Sequence, residues 1–188
     1  QEVEDALAAT GERPIERLKR LGLINSSLLA VHAVHLTDDE IRLFADTGVS
    51  VAHCPNSNLK LADGIARITA IHSAEIPVGL GTDGAASNNL LSMPGEMRTA
   101  ALLAKAESED ATALPAATAL RMATLTGART LGLEEQIGSI ESGKWADLAC
   151  IDLMHINSQP VYDPLSQVVY AIHPQQISDV WIAGRHQV

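Results

Sequence analysis

The sequence predicts an α/β fold with parallel strands, on three observations. Apolar runs of strand length alternate with helical segments through the middle of the chain, the pattern of β-α-β crossovers. Each run ends in polar residues: His32 and His35, then His53, then Asp83. Functional groups of parallel α/β sheets gather at the carboxyl ends of their strands. Past residue 112 the texture changes, and short strands follow one another without long helices between them.

The elements follow in order. EVEDALAAT has apolar residues at helical spacing and stops at Gly11; RPIERLKRLG has Pro14 early and Gly22 after its end. SLLAVHAVHL is a dense apolar run that suits a strand buried on both faces. In TDDEIRLFADTG, Thr37 and Glu40 fit a capping box and Gly48 fits the helix end. VSVAHC reads as a strand, PNSNLKLADG as a loop, IARITAIHSAE as a helix and IPVGLGTD as a strand. GAASNNLLS is a loop and MPGEMRTAALLAKA a helix. TALPAATALRMATLTGARTLG is an Ala-rich helix or helix pair. GSIESGKWADLACIDL is a turn feeding a strand, DPLSQVVYAI a short helix and ISDVWIAG a last strand. Three strands do not close a barrel, which takes about 250 residues.

Composition narrows the function. The 188 residues are 46% apolar but only 3% aromatic, so Ala, Leu and Ile must supply most of the core. A net charge of −10 argues against nucleic acid as a partner. No apolar run is long enough for a membrane span. Cys54 and Cys150 are far apart and form no CxxC, which points to a reducing compartment, the cytoplasm. The opening QEVED, without Met or a basic start, reads as the middle of a longer polypeptide, and WIAGRHQV ends without a closing element.

Asp83 is the leading candidate for chemistry. Asp before Gly is common in turns, so a turn cap is its plain reading. The sharper reading is a hard oxygen ligand for a divalent metal, or a proton shuttle, at a strand end. Gly84, Ala85, Ala86 and Ser87 leave room for a substrate, and Asn88 and Asn89 could orient it or cap the next loop. A lone strand histidine is more often packed than ligating, and His32 and His53 gain weight only from lying at strand ends beside Asp83. No HxH, HExxH or CxxC accompanies them. His53 and Cys54 are consecutive, so a strand points them to opposite faces. Lys60 reads as a solvated loop lysine, and Glu96 as a helix-surface glutamate before a brace for the Asp83 loop.

Several motifs in order carry a resemblance. VHAVHLTDDEI, VAHCPNSNLKLADG, GLGTDGAASNN and GEMRTAALLAK resemble the second half of the amidohydrolase superfamily, more narrowly its 5-methylthioadenosine/S-adenosylhomocysteine deaminases and their chlorohydrolase relatives. GSIESGKWADLACIDL resembles the return to that family's small β-sandwich domain. The resemblance implies the C-terminal part of a (β/α)8 barrel, strands six to eight with their helices, plus part of a β-sandwich. Residues 1–133 would be the partial barrel, and 134–188 the C-terminal portion of the sandwich with a barrel-packing helix.

The resemblance also implies one divalent metal per site, usually zinc, with Asp83 as ligand and proton shuttle. His32 would hydrogen-bond the attacking water and the reacting centre. His53, Ser87 and Asn88 would stand with Asp83 on the substrate side. The family's remaining ligands, an HxH pair and a further histidine, and a ring-protonating glutamate would precede Gln1. The implied substrate is an adenosine-type nucleoside, deaminated with release of ammonia, and the implied partner is the missing N-terminal half. A homo-oligomer is compatible with this. The isolated chain would be inactive. The alternatives are a guanine deaminase, a triazine or other amine hydrolase, or a non-catalytic half barrel.

Overall fold

The computed structural model describes residues 2–188. Helices α1 (Glu2–Thr10) and α2 (Pro14–Arg20) begin it. Gly11 and Gly22 follow their ends with positive φ of 71°, as the glycine positions predict. Next come β1 (Leu29–Val31), α3 (Asp38–Thr47), β2 (Ser50–His53), α4 (Pro55–Lys60), α5 (Ile68–Ser73), β3 (Val78–Leu80) and α6 (Met93–Ser108). The remainder is α7 (Ala116–Met122), α8 (Leu125–Thr130), β4 (Leu148–Ile151), α9 (Pro164–Tyr170), β5 (Ile177–Ile182) and β6 (Arg185–His186).

β1, β2 and β3 form one parallel sheet in sequence order, with Leu29 opposite Ser50 and Val51 opposite Val78. Parallel register brings all three carboxyl ends to one side. β4, β5 and β6 make a separate antiparallel sheet, irregular at Cys150 and Ile151. Among the described residues both sheets are open. The predicted α/β class is therefore present, as an open parallel sheet with helical crossovers rather than a closed barrel.

Aliphatic packing holds the parallel sheet. Phe44, Val49, Val51, Ile71 and Val78 are fully buried between it and the helices. A second cluster joins Met97 and Ala101 of α6, Ala119 of α7 and Val169 of α9. The capping box at α3 forms as expected: Thr37 Oγ1 accepts from the Glu40 amide (3.2 Å), and Glu40 accepts from the Thr37 amide (2.8 Å). Glu40 also takes both arms of Arg13, at 2.8 and 2.9 Å, which ties α3 to the start of α2. Where β3 passes α8, Gly79 is needed for contact: a Cβ there would lie 2.9 Å from Thr130 Oγ1 and 3.1 Å from the Gly127 Cα.

Three local expectations are corrected. The apolar run through residue 36 is a strand for three residues only, because His32 and Ala33 turn to positive φ (68° and 50°). β1 is not covered on both faces, and Val31 is 51% exposed. PNSNLK is helix α4, not loop: Pro55 occupies the first helical position, where a missing N–H costs nothing, and Ser57 and Asn58 find tertiary partners. Among the described residues no helix is long and apolar enough to cross a membrane.

Candidate active site

The three strand exits converge as the parallel register requires. His32 leaves β1, His53 ends β2 and Asp83 follows β3. His32 and Asp83 both hold positive φ, 68° and 60°. Such backbone costs of order 1–2 kcal/mol per residue and persists only where surrounding bonds fix it. At His32 one such bond is its amide donating to Ala52 O at 2.9 Å, which extends the ladder past the strand.

Helix α4 crosses these ends and supplies the side chains that orient them. Ser57 Oγ donates to Asp83 Oδ2 at 2.6 Å, and Ser87 Oγ donates to the same oxygen at 2.6 Å. These two hydroxyls, with the Gly84 amide, hold the exposed Asp83 carboxyl down to about 2, well below its ordinary range. It is ionised at neutral pH, the form that binds a cation or accepts a proton. Asn58 Oδ1 lies 2.8 Å from His32 Nδ1. The amide oxygen only accepts, so neutral His32 carries its proton on Nδ1 and presents Nε2 as an acceptor.

His53 is 1% exposed, and among the described residues neither ring nitrogen has a hydrogen-bond partner. Burial, with His32 nearby, pushes its pKa down to about 4. It is a neutral imidazole with one unused donor and one unused acceptor. Asn58 Nδ2 is likewise buried without a partner among the described residues. Such orphaned polar atoms call for a group to meet them. Cys54 is buried, and its thiol is pushed up to about 11, chiefly by burial.

Two expectations about surrounding residues are corrected. Glu96 is not on a helix surface: it is fully buried and accepts from Asn56 N (3.2 Å), Asn56 Nδ2 (2.8 Å) and Asn88 Nδ2 (2.5 Å). Lys60 is not a free loop lysine: its Nζ donates to Ala86 O (2.6 Å) and Asn89 Oδ1 (2.7 Å), strapping the loop after Asp83. Asn88 is buried, and its Nδ2 donates to Thr82 O as well as to Glu96. The contributions of Asn56, Ser57 and Asn58 escaped the sequence reading because PNSN looks like turn chemistry. The signal was the proline that opens α4.

The donor chemistry fits part of a divalent-metal site. Asp83 Oδ2 takes the two serines, which leaves acceptor capacity on a carboxylate with about four lone-pair positions. Yet among the described residues no group of three or more His, Cys, Asp or Glu side chains is placed to hold an ion. A cleft of about 880 Å³ runs along the uncovered flank of β1, lined by Val31, His32, Val34, Glu40 and Leu61 among others. It reaches His32 but not His53 or Asp83.

The Amidohydrolase family model matches residues 1–186. The chain belongs to the amidohydrolase family. Among its amidohydrolase relatives is the 5-methylthioadenosine/S-adenosylhomocysteine deaminase of Moorella thermoacetica, 48% identical over 184 residues. That match covers 98% of this chain and 43% of the relative, so the chain spans less than half the relative's length. Among solved structures, an adenosine deaminase from Xanthomonas campestris with bound zinc superposes with a TM-score of 0.96 at 56% identity. It covers 99% of this chain and 42% of that one. The zinc complex of atrazine chlorohydrolase from Arthrobacter aurescens TC1 has a TM-score of 0.91 at 32% identity, covering 98% of this chain and 41% of that one.

Proposed function

We propose that this chain is the part of a metal-dependent hydrolytic deaminase that carries barrel strands six to eight, residues 1–133, with residues 134–188 belonging to the attached sandwich. Its substrates are adenosine-type nucleosides, of the 5-methylthioadenosine and S-adenosylhomocysteine class. It acts only together with the polypeptide that supplies the rest of the barrel. One observation carries the proposal: an ionised carboxylate, Asp83, held by two serines beside a histidine whose free nitrogen is an acceptor.

Asp83 is the ligand this chain would give to a zinc ion, whose chemistry is to make a bound water acidic near neutral pH. Asp83 takes the proton of the attacking water. Ser57 and Ser87 fix its Oδ2, so the carboxylate does not swing as its charge changes. His32 accepts a hydrogen bond at Nε2 and holds the water in line with the amino-bearing carbon. Asn58 fixes the ring for this by binding Nδ1. His53, neutral and unpartnered, offers one donor and one acceptor on the substrate side. Asn88 contributes there by anchoring the loop that carries Ser87. Ring protonation and the other ligands come from outside this chain.

The names and identities of the relatives favour the nucleoside class over triazines, since the deaminases are 48% and 56% identical and the chlorohydrolase 32%. The test is ammonia release by the full-length protein from methylthioadenosine, S-adenosylhomocysteine, guanine and a chlorotriazine. Preference for the first two is expected. Turnover of guanine or the triazine alone would reject the substrate class.

A further inference from the structure

We infer that Glu96 is a positioning residue that sets Asp83 and His32 relative to each other through two asparagine arms; this rests on the reading of Asp83 and His32 as the reacting pair. One arm runs to α4. Glu96 accepts from the backbone and side chain of Asn56, and Asn56 Oδ1 in turn accepts from Thr99 Oγ1 at 3.0 Å. The next two residues on α4 are Ser57, bonded to Asp83, and Asn58, bonded to His32. The other arm runs to the β3 exit. Glu96 accepts from Asn88, which also donates to Thr82 O, next to Asp83. Ser87, adjacent to Asn88, is the second hydroxyl on Asp83.

Each of the two serines that hold Asp83 is therefore one residue from an asparagine tied to the same buried carboxylate. Burying a carboxylate without a cationic partner is costly, and among the described residues Glu96 is met only by neutral amide donors. An apolar side chain would fill the same space between α6 and α4. What it would lack is a single acceptor group that fixes both arms at once. Three N–H donors converge on two oxygens, so the carboxylate is required: a carboxamide turns one acceptor into a donor facing donors.

The test is Glu96→Gln in the full-length protein, read by steady-state kinetics and by amide hydrogen exchange. The expected result is a kcat lower by roughly 100-fold, the scale of a misplaced reacting group, with KM nearly unchanged. Exchange should quicken in residues 56–58 and 84–88 together, while the sheet amides of Val51 and Leu80 keep their protection. An unchanged kcat per folded molecule, or loosening of one segment without the other, overturns the inference. If the parent protein turns over no nucleoside, the functional reading fails, and the exchange pattern alone decides whether the clamp exists. Should Glu96→Gln not fold, Asn56→Ala and Asn88→Ala each break one arm. Both should lower kcat, and an unaffected kcat in both overturns the inference.

Discussion

At Asp83 a local backbone cost is accepted for a fixed carboxylate. Its left-handed φ aims the side chain at Ser57 and Ser87, and their hydroxyls keep it ionised. Asp83→Asn removes the charge and the proton acceptor. In the full-length protein turnover should fall by about 10²–10⁴-fold, the usual contribution of such a group, and zinc per chain should fall with it. Retained turnover would reject the role. His53 makes a separate prediction. Its folded pKa is lowered, so the unfolded chain binds its proton more readily between pH 4 and 6.5. Stability from this group is complete above 6.5 and is lost as pH falls towards 4. Thermal melting across that range should show a falling midpoint, with a flatter slope in His53→Gln. The strand-end positions of Asp83, His32 and His53 were legible because each apolar run stops there. Glu96 was legible only as the second choice, a brace for the Asp83 loop, since nothing in MPGEMR distinguishes a buried glutamate from an exposed one until its partners on α4 and the loop are known.

At the level of elements, caps and glycines were the most legible features, because their rules are local. Gly11, Gly22, Gly48 and the Thr37–Glu40 box all stand where the sequence puts them. Thr37→Ala should lower stability by about 1 kcal/mol, the usual loss for an N-cap, in denaturant titration. Gly79→Ala should cost more, about 1–3 kcal/mol, because its Cβ would meet Thr130 and the Gly127 backbone, and α8 must move. A shift below a few tenths of a kcal/mol would show that the β3–α8 contact is slack. The length of β1 and the helicity of α4 were not legible. The first is cut by backbone turning at His32, and the second is decided by partners on two other elements.

On the scale of the whole molecule, a parallel sheet and a separate antiparallel sheet match a large portion of a longer amidohydrolase, and the chain spans 43% of the Moorella relative. Alternation of strand and helix was enough to predict the first sheet, and the change of texture past residue 112 to predict the second. The short β6 went unread, since two residues carry no periodicity. Among the described residues the donors at the strand ends fall short of a closed metal set, which makes metal affinity a property of the joined polypeptide in our proposal. The most direct measurement is anomalous diffraction at the zinc edge from crystals of the full-length protein soaked in zinc. Our account predicts a peak about 2.0–2.2 Å from an Asp83 carboxylate oxygen, with the His32 ring beside it. A fully occupied peak elsewhere, with Asp83 bonded only to its serines, would contradict it.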